Sequence, residues 1–344
     1  MNIRTIGLDL AKNVFQVHGV DEAGEILIRR KLRRGQVVAF FAGLDPCLVG
    51  MEACGSAHYW ARELAALGHE VRLIPPSYVK PYVRRQKNDA ADAAAICEAV
   101  TRPSMRFVPV KGVEAQAVLV LHRTRSVLVK SRTMLVNALR AHLAEFGHVA
   151  PQGQAGLSRL VELVAQGACA GVPAAALPAL TSLADQIATL GERIGEIERA
   201  IRAEHAASQP SRRLASVPGI GPIIASALAA TVPDPAAFRS GREFAAWLGL
   251  TPRQNSSGGK QRLGAISKKG DRYLRTLLVL GATALLRRRD GLSPGHRAWL
   301  ERLLASKPAR LVTVALANKL ARIAWAVLAH GQPYRDGPAA APAA

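Results

Sequence analysis

Acidic residues are scarce in this chain of 344 residues. Only 25 Asp and Glu stand against 46 Lys and Arg, a formal charge of +21, with an isoelectric point near 10.8. That imbalance disfavours cationic partners and points to a polyanion. Cysteine is scarce too: Cys47, Cys54, Cys97 and Cys169 are far apart, with no CxxC pair. This spacing excludes a disulfide framework or a Cys-based zinc site, and fits a reducing, cytoplasmic setting. No apolar run reaches the length expected of a membrane span, and no amino-terminal signal pattern precedes a cleavage site, so the polyanion is read as nucleic acid rather than a membrane surface. What is present is a hydrophobic fraction of 49% with 21% charged residues, the composition of a folded chain long enough for two cores.

The basic residues are clustered. Between Arg72 and Arg140 there are 13 Lys/Arg against 4 Asp/Glu, and between Arg239 and Arg275 there are 9 against 2, suggesting two phosphate-contacting surfaces. Candidate contacts are Lys12, Arg84, Arg85, Lys87, Arg123 and Arg132 in the first half, and Arg253, Lys260, Arg262, Lys268, Lys269, Arg272 and Arg275 in the second.

The first hundred residues alternate strand and helix signals: strands at 3–8, 14–20, 26–33, 47–52 and 70–74, helices at 36–44 and 56–67, and helical periodicity from Asp89 to Val100. Three consecutive strands followed by helix–strand repeats is the order of a ribonuclease-H-like α/β fold. Residues 113–146 read as a basic helix. Leu183, Ile187, Leu190, Ile194, Ile197 and Ile201 form a heptad seam suited to a coiled coil or an antiparallel hairpin; at under three heptads it fits packing on its own domain as well as self-association. The segment LASVPGIGPIIASALAATVPD (214–234) has a glycine turn between two helices. It reads as a helix-hairpin-helix in which Gly219 and Gly221 let backbone amides approach a phosphate, or as an ordinary αα-hairpin. The expected organisation is a catalytic α/β domain (1–110), a helical linker with coiled coil (111–205), a mostly α-helical carboxy-terminal domain (206–332) and a disordered tail (333–344).

Four of the few acids stand at the edges of apolar elements. Asp9 ends the run IRTIGLD, Glu52 ends CLVGME, and Asp89 and Asp92 share one helical face in KNDAADAAAICEA. Taken singly, each has an ordinary role as a turn or helix-start charge. Together they form an all-oxygen ligand set suited to Mg²⁺ or Mn²⁺, and two such ions could hold a scissile phosphate. A second constellation is Asn255-Ser256-Ser257-Gly258-Gly259-Lys260, where a serine ringed by Arg and Lys could attack a phosphodiester. Such loops are more often plain connectors.

GLDLAK (7–12), MEACGSAHYWA (51–61) and KNDAADAAAICEA (87–99) together resemble the DEDD transposase domain of the insertion-sequence-110 family. VPGIGPIIASALAA (217–230) and WLGLTPRQNSSGGKQRLGAISKKGDRYLR (247–275) resemble that family's carboxy-terminal domain, in wording most like the subgroup of insertion sequence 1111. The resemblance covers residues 3–330 in the expected order. It implies a RuvC-like ribonuclease-H fold, a coiled coil between the domains, and Asp9, Glu52, Asp89 and Asp92 as Mg²⁺ ligands. It further implies a serine nucleophile that forms a 5′-phosphoserine link to DNA, here Ser257 with Ser256 as the alternative. It implies assembly as a dimer to tetramer, with active sites shared between subunits, a noncoding bridge RNA that guides the reaction, and a place in the bacterial cytoplasm at the nucleoid. Two other readings are a metal-dependent Holliday-junction nuclease using water, and a non-catalytic helix-hairpin-helix DNA-binding protein.

Overall fold

The structure is a computed structural model that describes residues 2–83 and 88–335. Arg84, Arg85, Lys87 and residues 336–344 of the expected tail lie outside the described residues. The chain forms two compact units, Met1–Glu114 and Ala115–Ala344.

The first unit is built on five strands: β1 (Thr5–Asp9), β2 (Val14–Val20), β3 (Ile26–Arg33), β4 (Leu48–Glu52) and β5 (Glu70–Ile74). They lie in the order β3-β2-β1-β4-β5. β1–β2 and β2–β3 are antiparallel, whereas β1–β4 and β4–β5 are parallel. This mixed sheet is consistent with the expected ribonuclease-H-like fold. Helices α1 (Val37–Ala42), α2 (Ala57–Ala66), α3 (Pro76–Val79) and α4 (Asp89–Val100) complete the unit. Strand alternation sorts the faces. Ile6, Leu8, Phe15, Val49 and Met51 pack with Phe41 of α1 and Trp60 and Leu64 of α2 in one core.

The opposite face is glycine where β1 and β4 meet. Gly7 and Gly50 are register partners in that parallel pair. A Cβ on Gly7 would overlap the Ala93 carbonyl oxygen and lie 2.5 Å from the Cys97 nitrogen, and one on Gly50 would lie 2.8 Å from Val100 Cβ. Thus α4, alanine-rich and with Ala93, Ala95, Ala99 and Val100 buried, packs its backbone directly on the sheet.

The second unit is mostly helical: α5 (Val113–Ala144, which starts at the unit boundary), α6 (Gln154–Ala165), α7 (Leu177–Ala207), α8 (Gln209–Leu214), α9 (Pro222–Thr231), α10 (Gly241–Trp247), α11 (Arg272–Arg287), α12 (Pro294–Ser306) and α13 (Ala309–His330), with one two-stranded hairpin, β6 (Pro252–Gln254) and β7 (Leu263–Ile266). Leu139, Leu143, Leu157, Leu160, Val164, Leu180 and Ile187 join α5, α6 and the first half of α7 in one core. The anticipated α7 seam therefore turns partly inward at Ile187. A buried polar network ties the helices further: His122 of α5 meets Tyr273 Oη at 3.0 Å and Ser226 Oγ at 3.2 Å, and Arg125 donates to Glu198 from Nε at 2.8 Å and Nη2 at 2.6 Å. Burial, then the charge of Arg125, lowers the His122 pKa to about 4.

One helix departs from the sequence reading. α13 has 22 residues and is long and apolar enough to cross a membrane, although no such run was expected. Its apolarity has another use, because Val312, Leu316, Ala317, Leu320, Ala321, Ala324 and Val327 are all buried in the carboxy-terminal core.

The glycine contact yields a direct test. Replacing Gly7 by Ala should cost about 1–3 kcal/mol through overpacking against fixed backbone. Replacing Gly35, where a Cβ would meet nothing within 4 Å, should cost less than about 0.5 kcal/mol. Urea unfolding followed by circular dichroism measures both.

Candidate active site

Asp9 and Glu52 are the last residues of β1 and β4, neighbouring parallel strands. Each follows its glycine by two positions, so both carboxylates leave the sheet on the face that α4 covers. Across from them α4 begins. The Asn88 side chain caps it by accepting from Ala90 N–H at 3.0 Å, and Asp89 and Asp92 lie in the first turn, where the helix dipole favours negative charge. Carboxylate oxygens of Asp9, Asp89 and Asp92 all lie within 4.8 Å of one another. Glu52 is outside that group of three but feels it, since burial and then the charge of Asp92 raise its pKa. Asp9 is raised further, to about 6, by desolvation and then by Asp92, Asp89 and Glu52, against a small opposing hydrogen bond from the Leu10 backbone.

Like charges gathered this closely resist ionisation unless a cation joins them. Three carboxylates on rigid elements offer only hard oxygen donors, which fits a divalent metal of the Mg²⁺ or Mn²⁺ class and no thiophilic one. Cys54, two residues past Glu52, is close enough that desolvation, then Glu52 and Asp9, push its thiol pKa up. It therefore remains a protonated bystander. The sequence reading picked out all four acids but not Gly7 and Gly50, whose signal is the repeated pattern Gly-x-Asp (7–9) and Gly-x-Glu (50–52).

The serine segment is the tip of the β6–β7 hairpin. Ser257 and Lys260 form a bridge pair, the Lys260 N–H donates to Ser257 O at 3.1 Å, and Gly258 and Gly259 have φ of 55° and 77°. Two positive φ values between paired residues describe a type I′ turn, which glycine alone adopts freely. Ser256 Oγ accepts from Arg262 N–H at 3.2 Å, whereas among the described residues the Ser257 hydroxyl has no hydrogen-bond partner. At the hairpin's root Gly249, with φ 72°, would place a Cβ 2.5 Å from Lys269 N, and Lys268 N–H donates to Gly249 O at 3.1 Å.

The candidate cations differ in availability. Arg253, Lys260, Arg262, Lys268, Lys269 and Arg272 are exposed, as are Lys12 and Arg123. Arg275 is engaged within the protein, its Nη1 donating to Leu248 O at 2.9 Å and Lys269 O at 3.0 Å. Arg132 donates from Nη2 to Gln154 at 3.3 Å. Gly221 has open space where a Cβ would stand, while Gly219, with φ 86°, faces Gly281, Leu285 and Leu320 of its own core.

Comparison with known proteins decides the family. A model described as "Transposase IS116/IS110/IS902 family" matches residues 211–296, and a DEDD model of the IS110 group, described as "Transposase", matches residues 6–148. A probable family 20 transposase of Pseudomonas aeruginosa is 55% identical, spanning 98% of this chain and 100% of that protein. The chain belongs to the IS110/IS116/IS902 transposase family. The transposase for IS1328 of Yersinia enterocolitica is 42% identical over 97% of this chain and 99% of its own. That for IS1111A of Coxiella burnetii is 40% identical over 98% and 92%. This protein is thus a DEDD transposase, an enzyme that acts on DNA. Such transposases typically use divalent metal ions, and the cluster of Asp9, Asp89 and Asp92 could hold one.

The electrostatics of Asp9 set a pH window. Its folded-state pKa lies above the ordinary 3.8. Its contribution to metal-free stability is therefore complete below about pH 4 and is lost as pH rises through about 6. Asp9→Asn should flatten metal-free stability between pH 4 and 7. Added Mg²⁺ or Mn²⁺ should raise the wild-type Tm more at pH 7.5 than at pH 5.5, because protons compete for the same oxygens. Calorimetry across that range measures both effects.

Proposed function

We propose that this transposase inserts and excises its insertion sequence by cleaving and rejoining DNA strands through a covalent phosphoserine intermediate, with Ser257 as nucleophile. The observation that carries this reading is the hairpin tip, where a serine hydroxyl with no hydrogen-bond partner among the described residues stands on a two-glycine turn among exposed Lys260 and Arg262. Ser257 Oγ attacks the scissile phosphorus and loses its proton, a Ser Oγ–P bond forms, and the bond from phosphorus to the 3′-oxygen breaks. The 3′-oxygen leaves and takes up a proton. A 3′-hydroxyl of the exchanged strand then attacks the phosphoserine and restores the serine. One phosphodiester is traded for another, so joining needs no external energy source.

Asp9, Glu52, Asp89 and Asp92 would hold Mg²⁺, as one or two ions. Bound there, the metal would supply Lewis acidity to ease deprotonation of the attacking hydroxyl and stabilise the leaving oxygen. The exposed basic residues of the hairpin would neutralise charge building on the phosphate. The same basic surface suits a noncoding guide RNA from the element, the partner that the family resemblance implies for choosing donor and target sites.

We also place function in an oligomer, a dimer to tetramer. α5 carries Val113, Val120, Val127 and Met134, exposed at 56–64% and seven residues apart. A stripe with that period favours pairing with another helix. In such an assembly the acids of one subunit would work with Ser257 of another.

The decisive experiment incubates the protein with element-end DNA, the element's noncoding RNA and Mg²⁺, then looks for a denaturation-resistant protein–DNA adduct. The adduct should form with wild type and fall at least 100-fold in Ser257→Ala and in Asp9→Ala, while Ser256→Ala retains it. Metal-dependent nicking that survives in Ser257→Ala would replace this reading with a water-using nuclease. Mixing the Ser257→Ala and Asp9→Ala proteins should restore part of the adduct if sites are shared between subunits. No recovery would confine each site to one chain.

A further inference from the structure

A groove of about 980 Å³ runs along α13 beside the root of the serine hairpin, with Pro252 and Ile266 at its hairpin end. Pro252 and Ile266 are a register pair of that hairpin. Its walls combine two indoles, Trp299 and Trp325, with the cations Arg242, Lys319 and Arg322, and none of its lining residues is acidic. The indoles are held in place: Trp325 Nε1 donates to Pro235 O at 3.1 Å, and Lys319 Nζ sits over the Trp299 ring, 4.4 Å from its centroid. Arg242 and Arg322 are exposed.

We infer that this groove binds an unpaired DNA strand and guides it to the hairpin. Its chemistry separates the candidate ligands. A duplex stacks its bases inward and offers mainly phosphate, so indole-bearing apolar walls would gain little from it. An unpaired strand exposes base faces to aromatic and apolar walls and phosphates to the arginines. A second copy of this chain is a poor occupant, because a protein with 46 basic and 25 acidic residues meets a cationic groove with like charge on average. The strand's role, as the one cut or exchanged at Ser257, rests on the proposed function; its binding does not.

The test uses the full chain with fluorescent 12-nucleotide probes, oligo-dT, oligo-rU and a duplex of equal length, titrated at several salt concentrations. Arg242→Ala/Arg322→Ala should weaken single-strand binding at least tenfold and flatten its salt dependence by about one to two ions, with less than a twofold change for the duplex. Trp299→Leu should weaken single-strand binding at least threefold while thermal melting shows the fold intact. Bromouracil-substituted single strands, irradiated in the complex, should cross-link within residues 294–326. Oligo-dT should bind at least as tightly as oligo-rU, and a clear preference for oligo-rU would overturn the assignment to a DNA strand. Unchanged single-strand affinity, an equal loss for the duplex, or cross-links confined elsewhere would overturn the inference. Binding is read without any cleavage step, so a failure of the serine mechanism would leave this result untouched.

Discussion

The contact on which the acidic site depends is backbone against backbone. Gly7 and Gly50, paired across β1 and β4, leave no side chains between the sheet and α4, and so α4 lies as close as atoms permit. Residues two positions further along each strand emerge on the same face. These are Asp9 and Glu52, and the first turn of α4 brings Asp89 and Asp92 down to meet them. With a larger residue at position 7 the helix would stand off, and the 4.8 Å grouping of Asp9, Asp89 and Asp92 could not close. The glycines therefore set the site's geometry although they carry no chemistry.

That geometry has an electrostatic cost. Four carboxylates are collected in a chain whose net charge is +21, yet among the described residues no lysine or arginine neutralises them by an ion pair. Asp9, partly buried and facing three other acids, is raised to about 6. The α4 dipole and the Asn88 cap relieve only the helix side. A structure that maintains such repulsion is complementary to something doubly positive, and a phosphate chain would follow that cation. The distribution of charge is thus coherent with the proposal: negative where a metal would sit, positive along the surfaces that would meet a polyanion.

Much of this was legible in the sequence because local rules governed it. The strands at 14–20, 26–33 and 70–74 and the helix at 89–100 have the bounds read from periodicity, since alternation and an Asx cap leave little choice there. The sites of departure are those where tertiary packing overrides pattern. α13 looks like a membrane span because it lies at the centre of a helical core and needs apolar residues around much of its circumference. The α7 seam left self-association and packing on its own domain equally open, and packing decides at Ile187, which belongs to a core shared with α5 and α6, while the exposed seven-residue stripe is on α5. Arg275 counted as a phosphate contact by charge, and packing turns one of its nitrogens inward, Nη1 donating to two carbonyls at the hairpin root. Period and charge disclose what a residue can do; only packing decides what it faces.

The two halves of the proposed chemistry are held in unlike ways, and the difference bears on control. The acids sit on strand ends and a helix start, supported by a buried sheet. Ser257 sits at a turn whose glycines have nothing within 4 Å, on strands whose residues are almost all exposed. A nucleophile must be aligned to within a few tenths of an ångström of its line of attack, and an exposed hairpin has no packing of its own to supply that alignment. In the proposed mechanism the ordering would come from what it binds: phosphates against Arg253, Lys260 and Arg262, an unpaired strand in the groove at its root, or another subunit. Binding energy would then be spent on positioning the serine, and cleavage would be confined to complexes with the right strand in place. In the proposed mechanism, which needs no external energy source, an unaligned nucleophile in the free protein is a safeguard as well as a kinetic cost.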